Sequence, residues 1–137
     1  MKKLFLLLLP IFLIPAFSCQ RLKGEFAFKF PEDKGYKLLF NKFEFPSAEE
    51  VDWIYKFNSI PSERIKIGVI IFKKEIGWID ILTLTDYIDS NKNIIYGKLK
   101  EFEPGDYKIV LIRSGSGKNE IIDEVEIYIY SDEDILD

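Results

Sequence analysis

The chain has 137 residues, which is enough for one ordinary domain. Hydrophobic residues make up 47% of the composition and charged residues 31%, so the sequence predicts a folded body rather than a disordered chain. A single cysteine and the absence of histidine exclude a disulfide scaffold, a zinc finger and any mechanism that needs an imidazole group.

Residues 1–18 have the layout of a secretory signal peptide. Lys2 and Lys3 form a positive start, and an uncharged run of 14 residues follows at positions 4–17, interrupted by Pro10 and Pro15. A transmembrane helix needs about 20 apolar residues, so this run is too short to span a bilayer. We therefore expect export of the protein, with removal of residues 1–18.

The predicted cleavage site contains the only cysteine. Ala16-Phe17-Ser18-Cys19 resembles the lipobox of bacterial lipoproteins, in which the cysteine becomes the first mature residue and carries a diacylglycerol on its sulfur. Ala16 stands where that family usually has leucine, so cleavage by an ordinary signal peptidase is the alternative. The resemblance implies a lipid anchor at Cys19, with palmitate-like chains sufficient for stable attachment. Gln20, in place of the retention aspartate, favours the outer membrane.

The charge of the predicted mature chain is acidic. Residues 19–137 contain 17 basic and 23 acidic side chains, a net charge of −6. An acidic surface repels phosphate groups, so we expect no nucleic-acid partner. The residue types present also predict no cofactor.

The remainder of the chain has the pattern of short strands. Phe26, Phe28 and Phe30 alternate with polar or small residues, and the same period of two recurs at positions 51–57. Further extended runs cover 65–72, 78–84, 94–99, 107–112 and 124–130, with turn residues between them. Seven to nine strands predict an all-β antiparallel sandwich at 25–130, a lipidated tether at 19–24 and an acidic tail at 131–137.

Two strands carry more specific expectations. Trp53 shares its strand face with Val51, Tyr55 and Phe57, so we expect its ring in the core. The run 65–72 is apolar at both odd and even positions, which predicts a central strand that is covered on both sides.

One later segment carries a family resemblance. Phe102-Glu103-Pro104-Gly105-Asp106-Tyr107-Lys108-Ile109 resembles the corner before the penultimate strand of immunoglobulin-like and fibronectin type III-like modules. Residues 66–72 are similar to a mid-sandwich strand of bacterial immunoglobulin-like and SKICH-like modules. The resemblance implies an immunoglobulin-like sandwich in which Pro104, Gly105 and Tyr107 form a structural corner closed by the tyrosine hydroxyl. It implies an accessory or binding role and carries over no catalytic residue.

Two groups of residues are candidate sites. Tyr128 and Tyr130 lie on the strand face opposite Ile127 and Ile129, and with Trp78 they are candidates for partner contact or, alternatively, for packing at the edge of the core. A second group, Asp86, Asp89 and Asn91, lies in an oxygen-rich loop that suits calcium, although the spacing of an EF-hand is absent. The alternative for that loop is an ordinary polar turn.

These features predict a membrane-anchored envelope lipoprotein that is not an enzyme. We expect it to bind a protein or glycan partner through a sheet edge or an outer face, with its body in the periplasm or outside the cell. A small periplasmic enzyme or ligand-binding protein is the alternative, and its mark is a pocket between the sheets that holds carboxyl groups of raised pKa. A purely structural lipoprotein is a third possibility.

Overall fold

A computed structural model describes residues 22–38, 42–115 and 119–132. These residues form β1 (Gly24–Lys29), β2 (Lys37–Leu38), β3 (Phe43–Pro46), β4 (Val51–Phe57), β5 (Ile65–Lys74), β6 (Trp78–Ile88), β7 (Ile94–Leu99), β8 (Gly105–Arg113) and β9 (Glu120–Tyr130). No helix in this part of the chain is long and apolar enough to cross a membrane. Cys19, the predicted signal peptide and tail residues 133–137 lie outside the described residues.

The strands form two sheets that pack face to face. The four-stranded sheet has the order β2-β1-β4-β7, and the five-stranded sheet has the order β3-β9-β8-β5-β6. The predicted all-β sandwich is therefore confirmed. One pair departs from the predicted antiparallel pattern, because β3 enters the edge of the five-stranded sheet in the same direction as its neighbour β9.

The core between the sheets is largely aromatic. Trp53, Tyr55 and Phe57 on β4 are fully buried, which confirms the predicted inward face of that strand. Phe28 on β1 stacks against Phe43 on β3, with ring centroids 4.2 Å apart. Since no polar or charged residue is buried among those described, apolar burial and dispersion hold the two sheets together.

The strand β5 is covered less completely than its sequence suggests. Its inward residues Ile67, Val69 and Ile71 are buried, whereas Ile70 and Phe72 on the outer face are only half-buried. Strands β6 and β8 flank β5 within the sheet, and no described element packs over its outer face. The predicted central position is correct, but the predicted cover on both faces is wrong because the sandwich has only two layers.

The corner segment contains a short hydrogen bond. The Tyr107 hydroxyl donates to the carbonyl oxygen of Glu103 over 2.6 Å, and the ring packs edge-on against Phe102. Gly105, which follows Pro104, has φ of 151°, a conformation that favours glycine. Burial raises the pKa of Tyr107, so its hydroxyl keeps the proton that it donates.

Gly97 on β7 makes room for the largest side chain of the core. It pairs with Trp53 across the β4–β7 ladder, and a Cβ atom at position 97 would lie 2.7 Å from the indole ring. The indole ring is rigid and enclosed, so neither the ring nor an added Cβ atom could move away without a large cost in free energy. The size of Trp53 therefore requires glycine at position 97.

We expect the substitution Gly97→Ala to lower the free energy of unfolding by about 1–3 kcal/mol, because the added methyl group overpacks the core. Gly35→Ala is the matched control, since no atom lies within 4 Å of its Cβ position. Urea unfolding followed by tryptophan fluorescence measures both variants. Equal losses for the two variants would contradict the proposed contact between Gly97 and Trp53.

A second tyrosine joins the two sheets through its side chain. The Tyr55 hydroxyl on β4 donates to a carboxylate oxygen of Asp123 on β9 over 3.0 Å. Burial, and then the negative charge of Asp123, raise the pKa of Tyr55 far above its ordinary value. Burial also raises the pKa of Tyr36 and of Tyr107.

These shifts predict alkaline sensitivity. A phenol whose pKa is higher in the folded state stabilises the fold fully below its unfolded pKa of about 10, and this contribution is lost as the pH rises further. We expect the stability of the wild type to fall above about pH 10. Tyr55→Phe should lose about 1 kcal/mol at neutral pH and then show a shallower alkaline decline. Urea unfolding at a series of pH values checks this, and equal slopes for both proteins would contradict it.

Candidate functional site

The outer side of β6 is an unpaired sheet edge. Strand β6 closes one side of the five-stranded sheet and pairs with β5, while no described strand pairs with its other side. Such an edge presents backbone N–H and C=O groups that can accept a further strand. Several peptide-binding domains use this mode of recognition.

Exposed apolar side chains concentrate on the same hairpin. Of the eleven exposed large hydrophobic residues in the described part of the chain, six lie between positions 76 and 87, namely Ile76, Ile79, Ile81, Leu82, Leu84 and Tyr87. Natural edge strands are usually short, charged or covered, because an apolar edge promotes association. This concentration makes the β6 side of the hairpin a candidate interaction surface.

Leu82 and Leu84 point toward the core side of the sheet without being covered. They lie opposite Ile71 and Val69, and direct partners in an antiparallel pair share a face. The two β5 residues are buried, whereas Leu82 is 39% exposed and Leu84 is 46% exposed. The four-stranded sheet ends at β7 and does not extend over this part of β6.

A bulge limits the regular part of this edge. Leu82 pairs with Ile71 and Asp80 with Phe72, so Ile81 is the extra residue. From Leu82 to Ile88 the ladder is regular, and we call the unpaired side of these residues the β6 edge. Its length is that of a typical strand.

The charges of β6 are all acidic. Asp80 and Asp86 are the only charged residues of the strand. The Asp86 carboxylate lies 2.8 Å from the Lys92 ammonium group, whereas Asp80 is exposed and has no ion pair within the described ranges. The strand therefore carries an unneutralised negative charge beside the bulge.

The three aromatic residues predicted as contacts lie on the outer face of the five-stranded sheet and are half-buried. The Lys108 ammonium nitrogen is 4.6 Å from the ring centroid of Trp78. The ammonium nitrogen of Lys42 is 5.3 Å from the ring centroid of Tyr128, which packs beside Tyr130. Lysine side chains thus occupy part of the Trp78 and Tyr128 ring surfaces. The structure places Trp78 on β6 and the tyrosines on β9, with two strands between them.

The loop with possible calcium ligands forms a network of internal hydrogen bonds. Both Asp86 oxygens accept from Lys92 over 2.8 Å, and an Asp89 oxygen accepts from the backbone N–H of Asn91 over 2.8 Å. This arrangement is that of a polar turn. Residues 22–38, 42–115 and 119–132 contain no group of three His, Cys, Asp or Glu side chains able to hold a metal. Calcium binding here stays a prediction.

The described residues between the two sheets provide no buried polar side chains for a catalytic pocket. The buried residues of the described core are all hydrophobic. Among the carboxyl groups that the structure describes, two have shifted pKa values, and both shifts are downward: the Phe30 N–H lowers the pKa of Asp33, and Lys98 lowers that of Glu50. The alternative of an enzyme with raised-pKa carboxyl groups between the sheets gains no support from these residues.

Among the surface clefts, two are lined by residues that the structure describes. One, of about 370 Å³, lies on the outer face of the four-stranded sheet and is lined by Tyr36, Asp52, Tyr96, Gly97 and Lys98. The other, of about 310 Å³, lies at one end of the sandwich and is lined by Leu22, Ser59, Pro61, Ser62, Glu63, Ile65 and Arg113. Neither cleft has a wall from β6.

The exposed leucines of β6 are not among the contacts predicted from the sequence, although a signal was present. The apolar residues Ile79 and Ile81 share one parity, and Leu82 and Leu84 share the other. A change of parity within an extended run is typical of a β-bulge. Sequence alone could not show that the strand lies at an edge.

Comparisons with known proteins show the fold and no family. No protein-family model and no curated protein matches this chain. The structure is similar to the soluble domain of PmoD from Methylocystis sp. ATCC 49242 (Rockwell), with a TM-score of 0.56 and 10% identity over 77% of this chain and 89% of that chain. A β-glucosidase from Listeria innocua has a TM-score of 0.38 at 12% identity, over 77% of this chain and 16% of that chain. This similarity is too low to support a conclusion about fold or function.

Proposed function

We propose that this protein is a non-catalytic binding module of a bacterial cell envelope, and that its β6 edge pairs with an extended segment of a partner protein. The unpaired β6 edge, with Leu82 and Leu84 exposed beside it, carries the proposal. The lipobox-like segment supports a lipid anchor at Cys19, and Gln20 favours the outer membrane. The immunoglobulin-like and SKICH-like resemblance supports an accessory role.

Strand addition suits the geometry of this edge. An incoming strand would form backbone hydrogen bonds along residues 82–88, where the ladder is regular. Its inward side chains would cover Leu82 and Leu84, and each leucine would contribute roughly 1 kcal/mol by further burial. The sandwich is already folded, so the partner segment alone loses conformational freedom on binding.

Charge defines the chemistry of the partner segment. Asp80 and Asp86 make the strand acidic, and the whole chain has a net charge of −4. A partner segment with alternating apolar residues and a lysine or arginine near Asp80 would complement this edge. Attraction between opposite charges would also accelerate the encounter at low salt.

We expect a photo-crosslinking amino acid at position 84 to trap the partner in cells that express the full chain, because the side chain lies beside the β6 edge. Ile121 is the matched control, since it is an exposed aliphatic residue on β9, away from β6. Mass spectrometry identifies the adducts. The purified partner should then protect the unpaired backbone amides among residues 82–88 from hydrogen exchange, and Leu84→Lys, made in the chain without the crosslinking residue, should abolish this protection.

Three outcomes would contradict this proposal. They are the absence of adducts at position 84, equal adducts at position 121, and an adduct that contains a second copy of this chain instead of a partner. Leu84→Lys must also unfold in urea like the wild type, because position 84 is exposed.

The lipid anchor has its own test. We expect Cys19→Ala to move the protein from the membrane fraction of a bacterial cell to the fraction without membrane, because the substitution removes the sulfur that would carry the acyl chains. Fractionation and intact-mass measurement of the wild type check the anchor. Ser18→Ala is the control, which should keep the membrane location. A Cys19→Ala protein that stays in the membrane fraction would contradict acylation.

A further inference from the structure

An apolar row crosses the solvent-facing side of the four-stranded sheet. Leu38, Ala27, Ile54 and Tyr96 are successive partners across its four strands. The row faces outward, because the alternate residues of β4 fill the core. Outer faces of antiparallel sheets normally carry polar side chains. Tyr96 is nevertheless 68% exposed in the middle of its strand.

A charged row runs beside the apolar one. Lys29, Asp52 and Lys98 are partners across β1, β4 and β7. The Lys98 ammonium nitrogen lies 2.7 Å from a carboxylate oxygen of Glu50 and 3.8 Å from one of Asp52. Two positive and two negative groups therefore lie side by side, and their charges cancel.

The cleft of about 370 Å³ lies over the junction of these rows. Tyr36 and Tyr96 provide aromatic walls, and Asp52 and Lys98 provide hydrogen-bonding groups within the same lining. The ammonium nitrogens of Lys29 and Lys92 lie 5.9 Å and 5.7 Å from the ring centroids of Tyr36 and Tyr96, so a stacking ligand would displace these two lysine side chains. Both rings are exposed, Tyr36 by 42%. Burial and the charge of Asp52 raise the pKa of Tyr36, so its hydroxyl also remains a donor. The volume is at the lower end of the range of about 300–1,000 Å³ that is typical of small-ligand sites.

The combination of these groups fits a sugar. A pyranose ring has an apolar face of C–H bonds that stacks on an aromatic side chain, and a rim of hydroxyl groups that bond to carboxylate and ammonium groups. The cancelled charges of the cleft favour an uncharged ligand over a phosphate or a cation. We propose that the Tyr36–Tyr96 cleft binds a neutral oligosaccharide, at a site separate from the β6 edge.

The experiment is a calorimetric titration of the full chain in a detergent without a sugar headgroup. The probes are three hexasaccharides: β-1,4-linked glucose, β-1,4-linked N-acetylglucosamine and α-1,4-linked glucose. We expect at least one to bind. Tyr96→Ala should weaken that binding about tenfold, because one stacking ring is lost, while Tyr96→Phe should retain it.

Two control variants distinguish this site from other surfaces. Tyr87→Ala removes an exposed tyrosine on β6 and should leave the affinity unchanged. Leu84→Lys alters the β6 edge and should also leave the affinity for the oligosaccharide unchanged. The partner proposal and the oligosaccharide proposal can therefore fail independently of each other. Urea unfolding checks that every variant is folded.

Failure of all three hexasaccharides to bind the wild type at millimolar concentration would overturn the proposal. Binding that Tyr96→Ala and Tyr36→Ala leave unchanged would overturn it equally, because the ligand would then lie elsewhere.

Discussion

The two layers of this sandwich differ in width, and most of its surface chemistry follows from that difference. The four-stranded sheet ends at β7, whereas the five-stranded sheet continues to β6. A side chain is buried in a two-layer fold only where the opposite layer covers it. Leu82 and Leu84 have the same orientation as the buried Val69 and Ile71 of the neighbouring strand, yet they remain exposed. An apolar edge on a folded domain is a liability unless something pairs with it.

The strand β4 links the core to the outer cleft. Its odd-numbered residues fill the centre of the sandwich, where Trp53 requires Gly97 on the adjacent strand and Tyr55 reaches Asp123 on the opposite sheet. Its even-numbered residues Asp52 and Ile54 belong to the charged and apolar rows of the outer face. A one-residue shift of register would exchange these two sets, so the aromatic core also holds the cleft residues in their places.

The two proposed surfaces have different physical characters. The β6 edge offers unpaired backbone groups, uncovered leucines and a negative charge, which suit an extended peptide. The Tyr36–Tyr96 cleft offers aromatic walls and balanced charges, which suit a neutral polar ring. They lie on different sheets, and neither shares a lining residue with the other. If both proposals hold, one domain would bind a protein segment and a glycan at separate places.

A range of seven to nine strands and the inward face of β4 could be read from the sequence, because a period of two in apolar residues indicates burial on one side. The corner at Tyr107 could also be predicted from the sequence, since its hydrogen bond to Glu103 joins residues that are close in the chain. The sequence could not predict the parallel pairing of β3 with β9 or the half-buried outer face of β5. Both depend on which distant segment of the chain lies alongside.

The candidate sites show the same division. Residue types alone determined that this chain has no imidazole chemistry and suggested a lipid anchor, since these depend on composition and a short motif. The excess of aromatic residues indicated Trp78 as a contact, and their strand face indicated Tyr128 and Tyr130, but the tertiary structure packs lysines against Trp78 and Tyr128. Only the fold decided that β6 is an edge and that Tyr36 and Tyr96 border one cleft. Tyr36 and Tyr96 are sixty positions apart in the chain, and the order of the strands in the sheet brings them together. No local sequence pattern encodes that order.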